Sequence, residues 1–282
     1  MDGVTGLDGA AGPAQTTPTD RWRAELLSWA IPPEILAAVA DSPWVIPTDV
    51  FARRADSSVA APDGASYRVA KEAVADGSVL DVGSGAGAAS LPLGRPIVAV
   101  DVNAEMLAAL KTRAQRLGLP VTTVEGRWPD VADQTPAADV VVCHHVAYNV
   151  PELRPFATAL TEHARRRVVM ELTANHPMAA LNPLWTEMHG ISRPSGPTAW
   201  DAVAVLRELG IKPHVETGPR PPRPEYPSFV ELVAITRRRL CLPPARDDEL
   251  AETLLRLGVD PQHPRDLPPA QDLLVTVWWD PR

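Results

Sequence analysis

The chain has 282 residues, of which 45% are apolar, so it can bury the core of one large domain or of a domain with an appended cap. Its net charge of -8 argues against a nucleic-acid partner, which requires a basic surface, and two cysteines exclude a disulfide scaffold and indicate the cytoplasm. The mean hydropathy of -0.09 and the lack of long apolar runs exclude an integral membrane protein, and no secretory signal is visible.

The first 65 residues predict a tail followed by helices. Residues 1–19 are Gly, Ala, Thr and Pro without periodicity, which predicts a flexible tail. From Asp20, which we expect to cap the first helix, apolar residues recur at helical spacing. Residues 20–65 therefore form an expected N-terminal helical cap, in which further helices are predicted from Pro32, over 48–54 and from Tyr67 to Gly77 at its boundary.

The remainder, 66–282, alternates between short apolar strands and helical patterns. The strands are predicted at 78–82, 97–101, 121–124, 138–142, 168–172, 213–216 and 272–279. This alternation predicts an α/β fold with a doubly wound, mostly parallel Rossmann-like sheet and added N-terminal and late-chain helices. A proline-rich connector at 218–224 precedes an expected helical insertion at about 225–260, and the last strand is expected to complete the sheet.

A glycine-rich turn follows the first strand, in the segment Val79–Ala88. Glycines at a strand-to-helix turn let the backbone approach a ligand closely, and we expect a helix directly after them. Gly83, Gly85 and Ala88 alone would satisfy a dinucleotide fingerprint. However, Asp81 and Gly87 favour a cofactor with a positive charge and no phosphate.

The segment from about 71 to 171 resembles the class I S-adenosylmethionine-dependent methyltransferases, because three motifs occur in order. The resemblance implies S-adenosyl-L-methionine as cofactor, its methionine part wrapped by the turn Asp81–Gly87. It also implies that Asp101, 18 residues after Gly83, accepts hydrogen bonds from both ribose hydroxyls. The cofactor-binding residues that it implies are Asp81, Gly83, Ser84, Gly85, Gly87, Asp101, Val102, Gly126, Arg127, Trp128 and Cys143.

The third motif, after the third strand, departs from the family's pattern. Many members have an Asp after the glycine that corresponds to Gly126, and this chain has Arg127. The adenine is then expected to be held by backbone groups and by stacking on Arg127 or Trp128.

The loop after the fourth strand holds the candidates for catalysis. It contains His144, His145 and Tyr148 and lacks the N/D-P-P-Y/F motif of enzymes that methylate DNA bases or glutamine amides. Strand alternation predicts that the two histidines point to opposite sides, and we favour His144 as a general base. Tyr148 and Asn149 are expected to orient the acceptor. A structural interpretation, with one histidine in the core and the other capping a carbonyl, stays open.

The end of the fifth strand adds Glu171, the second choice for the base, and His176. The pair Arg53–Arg54 could reach a carboxylate, and no metal site is expected because the spacings of metal ligands are missing. The helices of the cap and of the insertion are expected over the carboxyl ends of the strands, bringing tryptophans there. The candidates are Trp22, Trp29, Trp44 and Trp185.

The sequence thus predicts a cytoplasmic enzyme that transfers a methyl group from S-adenosylmethionine to an O or N of a small molecule. Two alternatives stay open, a non-catalytic domain that binds a nucleoside or S-adenosylmethionine and an NAD(P)-dependent oxidoreductase. Neither nucleic acid nor membrane is an expected partner, and the oligomeric state is not predicted.

Overall fold

A computed structural model describes residues 16–37, 39, 43, 48–220 and 225–281. Most of the predicted tail, and Trp44, lie outside these residues. None of the helices in the described ranges is long and apolar enough to cross a membrane.

The helices and strands of the described chain follow the predicted alternation. The helices are α1 (Pro18–Leu27), α2 (Pro33–Ala37), α3 (Thr48–Ala60), α4 (Ala65–Val74), α5 (Ala104–Arg116), α6 (Leu153–His163), α7 (Asn182–His189), α8 (Ala199–Glu208), α9 (Phe229–Arg239) and α10 (Asp247–Arg256). The strands are β1 (Val79–Val82), β2 (Ile97–Asp101), β3 (Val121–Glu125), β4 (Ala138–His144), β5 (Ala164–Thr173), β6 (His214–Pro219) and β7 (Leu273–Trp279).

The strands form one sheet in the order β3-β2-β1-β4-β5-β7-β6, and the predicted fold class is confirmed. Strands β1 to β5 are parallel, whereas β7 runs antiparallel to its neighbours β5 and β6. The carboxyl ends of β1, β2, β4 and β5 therefore meet at one edge, called the carboxyl edge below. Its strands end at Val82, Asp101, His144 and Thr173.

The register decides which polar side chains share a face of the sheet. Asp81 pairs with Val142 and His144 pairs with Glu171, so Asp81, His144 and Glu171 lie on the same face. Helix α4 covers that face, because its apolar residues pack with those of β1 and β4. The face thus brings two acids and a histidine close to one helix.

The first helix begins earlier than predicted. Thr17 caps α1, and its hydroxyl accepts the backbone N–H of Asp20 at 3.1 Å. Pro18 starts the helix, where its missing N–H costs nothing, so Pro18 and Thr19 are not part of a tail. The predicted cap at Asp20 was wrong because Asp20 already lies in the first turn, a favourable place for an acid.

The predicted helix after the glycine-rich turn is absent. Residues 85–90 form turns and are followed by a short 3₁₀ helix at Leu91–Leu93. Pro92 and Pro96 cannot donate to a helix, and Gly94 adopts a left-handed conformation with φ of +66°. The chain consequently passes from the glycine turn to β2 within a few residues.

A column of aromatic rings joins the N-terminal helices to the carboxyl edge. Trp22 is fully buried, donates from Nε1 to the Val150 carbonyl at 2.8 Å and stacks on Tyr148 with ring centroids 5.8 Å apart. Trp29 stacks on His176 at 4.0 Å and donates to the Gly196 carbonyl at 2.6 Å. These contacts anchor α1 over the ends of β4 and β5.

Arg193 connects the aromatic column to the later helices, because it contacts one tryptophan ring in each. The guanidinium of Arg193 lies 5.6 Å from the ring centre of Trp29 and 4.9 Å from that of Trp185 on α7. Arg193 also donates to the carbonyls of Trp29 and Ala30. Trp22 and Trp29 thus reach the carboxyl edge, and Trp185 joins the apolar cluster of α7, α9 and α10.

Candidate active site

The glycine-rich turn is built from three glycines in the left-handed region. A Cβ on Gly83, where φ is +70°, would lie 2.3 Å from Cγ2 of Val146, and one on Gly87 would lie 2.6 Å from Cδ1 of Leu91. A Cβ on Gly85, where φ is +49°, would meet no atom of the described residues within 4 Å. Gly83 and Gly87 therefore permit close packing, whereas Gly85 leaves an open backbone surface that a ligand can approach.

Asp101 ties this turn to the end of β2. Its Oδ2 accepts the backbone N–H of Gly85 at 2.8 Å, and its Oδ1 accepts that of Asn103 at 2.9 Å. The next residue, Val102, is 61% exposed. A fixed carboxylate beside an exposed apolar side chain suits a ribose hydroxyl pair and an adjoining base.

Two further residues of the turn are buried. Ser84 is 6% exposed, and its hydroxyl has no hydrogen-bond partner among the described residues. Asp81 accepts a hydrogen bond from the Ser90 hydroxyl at 2.6 Å. Burial raises the pKa of Asp81 to about 7, with Ser90 opposing and Asp101 adding to the rise.

The turn fits the cofactor that the sequence predicts. One short stretch holds the open backbone of Gly85, the Ser84 hydroxyl without a partner among the described residues and the fixed carboxylate of Asp101. Each of these groups offers a contact that a nucleoside with an amino-acid tail can use. The residues of this stretch that could hold it are Gly85, Ser84, Asp101 and Val102.

The third motif lies beside Asp101 but is built differently from the expectation. Gly126 donates to the Asp101 carbonyl at 2.9 Å, and Arg127 is exposed. Trp128, by contrast, is 5% exposed and meets the ring of His163 edge-on at 4.8 Å. The packing of this ring in the core does not favour Trp128 among the two residues, Arg127 and Trp128, that were expected to stack on the adenine. Arg127 and the backbone of Gly126 are left for that contact.

Two other predicted site residues lie in the core. Cys143 is 1% exposed, and burial raises the pKa of its thiol, so its side chain is unsuited to touch a cofactor. Tyr148 is 6% exposed and donates its hydroxyl to the Thr173 carbonyl at 2.7 Å. Burial also raises the pKa of Tyr148. Its predicted role in orienting an acceptor is replaced by a role in the aromatic column.

His145 departs from the predicted alternation. Strand β4 ends at His144, and His145 adopts the left-handed conformation with φ of +59°, which is uncommon for a residue with a Cβ. Its backbone N–H donates to the Glu171 carbonyl at 2.8 Å, and its Nε2 lies 3.1 Å from Oε1 of Glu171. The two histidines therefore do not diverge, because the strand that would impose alternation has ended between them.

Glu171 is the centre of this cluster. It is 8% exposed, and its second oxygen, Oε2, accepts a hydrogen bond from the Ser66 hydroxyl on α4 at 2.6 Å. His144 lies beside it as its register partner on β4, and the Nε2 of His144 is buried without a partner among the described residues. A buried acid is thus held between a serine and two imidazoles.

Arg54 on α3 completes the cluster, since its Nη2 contacts Nε2 of His145. Helix α3 is docked in this position from its other side. Ala55 is fully buried and packs with Ala86 of the glycine turn, and Asp56 forms a two-pronged ion pair with Arg113 of α5 at 2.8 and 3.2 Å. The glycine turn and the histidine cluster are therefore covered by the same helix.

The cluster sets the charges of its members. Burial raises the pKa of Glu171, but the close contact with His145, the charge that the two imidazoles gain on protonation and the Ser66 hydroxyl outweigh it and hold that pKa well below its usual range. Burial lowers the pKa of His144 to about 4 against the attraction of Glu171. Burial also lowers the pKa of His145, with Arg54 adding to the fall and Glu171 opposing it. At neutral pH the acid is ionised and both imidazoles are neutral.

His176, the other candidate after β5, has a structural place. Its Nδ1 accepts the backbone N–H of Met178 at 3.3 Å, and its ring lies between Trp29 and Tyr148. Burial lowers its pKa to about 4, and Arg193 adds to the fall. His176 is therefore a neutral member of the aromatic column.

Ser66 and Ser90 belong to the site and were missed by sequence reasoning. Ser66 is 105 residues from Glu171, and no spacing in the sequence links the two. Ser90 is only nine residues from Asp81, but its partner was hidden by the expected helix after the glycine turn. Serine is also a common residue in turns and at helix starts, so its presence carried no signal.

The sequence model of one protein family matches part of this chain. A sequence model of a protein family, described as a methyltransferase domain, matches residues 79–167, which hold the glycine turn, Asp101 and both histidines. A search among curated proteins found no match.

Solved structures share the architecture at low identity. YcgJ from Bacillus subtilis is 14% identical, with a TM-score of 0.52 over 82% of this chain and 98% of that one. Two further similar structures have TM-scores below 0.5. Magnesium protoporphyrin IX methyltransferase (ChlM) from Synechocystis PCC 6803 with bound SAH is 20% identical, with a TM-score of 0.46 over 72% of this chain and 88% of that one. Precorrin 8W decarboxylase from Methanobacterium thermoautotrophicum is 15% identical, with a TM-score of 0.45 over 86% of this chain and 98% of that one.

Proposed function

We propose that this chain, a class I S-adenosylmethionine-dependent methyltransferase by the domain at residues 79–167, methylates an O or N atom of a small molecule. The observation that carries the proposal is the contact between His145 and Glu171, whose Nε2 and Oε1 atoms lie 3.1 Å apart. That pair lies next to Val146, whose side chain fills the space that Gly83 leaves in the glycine turn. A base and a cofactor turn are thus adjacent at one edge.

The cofactor is assigned to the part of the carboxyl edge that the glycine-rich turn and Asp101 form. S-adenosylmethionine, when bound, supplies a methyl group on a positively charged sulfur. We assign its ribose to the carboxylate of Asp101 and its base to the surface of Val102, Arg127 and the Gly126 backbone. The open backbone of Gly85 and the hydroxyl of Ser84, which has no partner in the part of the chain that the structure describes, serve its amino-acid part.

His145 is assigned as the general base. The acceptor's O–H or N–H gives its proton to the imidazole while the lone pair of that oxygen or nitrogen forms the new bond to carbon. S-adenosylmethionine would supply the methyl carbon, and its sulfur would keep the electron pair of the carbon–sulfur bond. Glu171 orients the ring and stabilises the imidazolium that forms, as a carboxylate does for a histidine base in general.

Two observations favour His145 over His144. The side chain of His145 is 22% exposed, whereas Nε2 of His144 is buried without a partner in the described ranges and the pKa of its ring falls to about 4. In addition, a left-handed conformation favours glycine, so a histidine at φ of +59° costs about 1 kcal/mol of backbone strain. The side chain compensates for that cost by its contact with Glu171.

A small molecule is favoured by the cover of the edge and by charge. Trp22, Trp29 and Tyr148 form a buried column over the ends of β4 and β5, which suits an enclosed acceptor. The net charge of -8 does not favour a polyanion. We also propose a cytoplasmic location, since the two cysteines are free thiols.

The proposal is tested in two steps. Calorimetry is expected to show binding of S-adenosylhomocysteine and little binding of NADH; the reverse order would support the oxidoreductase alternative and contradict the proposal. Isotope-labelled S-adenosylmethionine is then incubated with small-molecule extracts. Label is expected in a small-molecule product with the wild type and about 100-fold less with His145→Gln. Binding without any transfer would leave the non-catalytic alternative.

A further inference from the structure

We propose that Arg54 holds His145 in its non-basic tautomer in the free protein, and that an anionic group on the acceptor releases the base by drawing the guanidinium away. The inference rests on the proposed function, in which His145 takes the acceptor's proton. It adds a positioning residue, Arg54, and a substrate class, an acceptor that carries a negative charge.

The inference starts from two contacts made by one atom. Nε2 of His145 lies 3.1 Å from Oε1 of Glu171 and also contacts Nη2 of Arg54. A neutral imidazole nitrogen either carries a proton or offers a lone pair. Glu171 is ionised and accepts only, so it requires a proton on Nε2, whereas Arg54 donates only and requires a lone pair there. The two contacts select opposite tautomers.

The tautomer decides whether the ring can act as a base. With the proton on Nε2, given to Glu171, the lone pair is on Nδ1, which the contact with Arg54 does not involve. With Nε2 accepting from Arg54, the proton is on Nδ1, and the only lone pair is covered by the guanidinium. While Arg54 donates to Nε2, His145 therefore cannot accept a proton from an acceptor. Once Arg54 moves away, it can.

The charges around the ring determine what can move Arg54. Glu171 already accepts from Ser66 on Oε2 and lies beside His145 through Oε1. Among the described residues, the other charged and titratable groups that act on His145 are His144, which is neutral, and Arg220, which forms an ion pair with Asp272 at 3.8 Å. Burial lowers the pKa of Arg54, and the charge of Glu171 opposes that fall. The contact with the neutral imidazole of His145 uses only one of the five N–H groups of Arg54.

An anion on the acceptor is a stronger partner for that guanidinium. A carboxylate or phosphate binds a guanidinium through two parallel hydrogen bonds, each assisted by charge, and about twice as strong as a neutral one. Arg54 is exposed at the carboxyl edge, on a helix fixed by Ala55 and by the Asp56–Arg113 ion pair. Its side chain can therefore turn to an incoming anion while α3 stays in place.

The tautomer is read directly by nitrogen-15 spectroscopy of histidine-labelled protein near pH 7.5. The His145 signals are assigned by their loss in His145→Gln. We expect the Nδ1–H tautomer in the wild type and in Arg54→Lys, which keeps a donor, and the Nε2–H tautomer in Arg54→Met. Arg68→Met is the matched control, since Arg68 pairs with Glu216 and not with the cluster. It is expected to resemble the wild type.

An Nε2–H tautomer of His145 in the wild type would overturn the proposed role of Arg54. An unchanged tautomer in Arg54→Met overturns it as well. The wild-type spectrum decides the question even if Arg54→Met does not fold.

The acceptor's charge is tested with an extract separated on an anion-exchange resin near pH 8, each fraction being offered labelled S-adenosylmethionine. Methyl-accepting activity is expected in the bound fraction, and activity confined to the unbound fraction contradicts an anionic acceptor.

With the active fraction, Arg54→Met is expected to raise KM at least 10-fold without lowering kcat. A fall in kcat with unchanged KM would contradict the assigned role. If no fraction accepts a methyl group although S-adenosylhomocysteine binds, the proposed function fails. The nitrogen-15 spectra still decide whether Arg54 selects the tautomer of His145.

Discussion

The two halves of the carboxyl edge hold their polar groups in different ways. The cofactor half, defined by the glycine turn and Asp101, is held by backbone: both carboxylate oxygens of Asp101 accept main-chain N–H groups, from Gly85 and Asn103. The acceptor half, defined by Arg54, Ser66, His144, His145 and Glu171, is held by side chains. Its members come from α3, α4, β4 and β5.

This difference separates two kinds of dependence on sequence. The cofactor half spans about 20 consecutive residues, so its geometry depends on local conformation and on glycine at defined positions. The acceptor half needs four elements in register, and its chemistry depends on which proton each side chain carries. Substitutions in the first half should therefore act on folding and cofactor affinity, and those in the second on turnover.

The largest effect is expected from glycine substitution in the cofactor half. Gly83→Ala places a Cβ 2.3 Å from Val146 and is expected to lower the free energy of unfolding by about 2–4 kcal/mol. The new Cβ of Gly85→Ala meets no atom in the described part of the chain, so this substitution should cost only about 1 kcal/mol of backbone strain, but it should weaken S-adenosylhomocysteine binding. Urea unfolding and calorimetry measure the two effects. Equal destabilisation by both substitutions would contradict the assignment of Gly85 as the open surface.

The next effect distinguishes the two histidines of the acceptor half. His145→Gln is expected to lower kcat by about 100-fold while cofactor affinity changes by no more than a few-fold, since it removes the base and leaves the glycine turn intact. His144→Gln should lower kcat by less than about 10-fold. Steady-state kinetics on the labelled acceptor fraction measure both. A greater loss in His144→Gln would return the role of base to His144.

Asp101→Ala tests the anchor of the cofactor half. It removes the acceptor for two backbone N–H groups and for the ribose, so S-adenosylhomocysteine binding should weaken by about 1.5–3 kcal/mol, or roughly 10- to 100-fold. Calorimetry measures the change, with Asp133→Ala, an exposed acid of a 3₁₀ turn, as control. An unchanged affinity would show that the ribose lies elsewhere.

The smallest expected effect is the pH dependence of the aromatic column behind the acceptor half. The pKa of His176 is lowered to about 4 in the folded chain from an unfolded value near 6.5, so the unfolded state binds more protons below pH 6.5. Stability due to this neutral ring is present above pH 6.5 and is lost as pH falls towards 4. Between pH 7 and pH 5 the loss amounts to about 2 kcal/mol.

His176→Asn keeps an acceptor for the Met178 N–H and cannot titrate. Urea unfolding at the two pH values should therefore show a smaller loss of stability in this variant than in the wild type. His263→Asn, which replaces an exposed histidine, is the control. The same loss in His176→Asn as in the wild type would mean that the ring is charged in the column.

Sequence predicted the cofactor half better than the acceptor half, for a physical reason. Asp101 and the glycines of the turn could be placed because strand, turn and strand follow each other within the range of local backbone preferences. The errors in that half came from side chains with a tertiary alternative. Trp128, one of the two residues expected to stack on the adenine, packs on His163, and a proline and a glycine after Ser90 replace the expected helix with turns.

By itself, the sequence determined the alternation of strands and helices, the order of its motifs and the residue types at the carboxyl edge, since these follow from periodicity and from glycine's conformational freedom. Only the tertiary structure decided that His145 turns back to Glu171, that Ser66 supplies the second hydrogen bond and that Arg54 shares the same imidazole nitrogen. The reason is that hydrogen bonds between distant elements depend on register and helix docking. Burial around them then decides which groups carry charge.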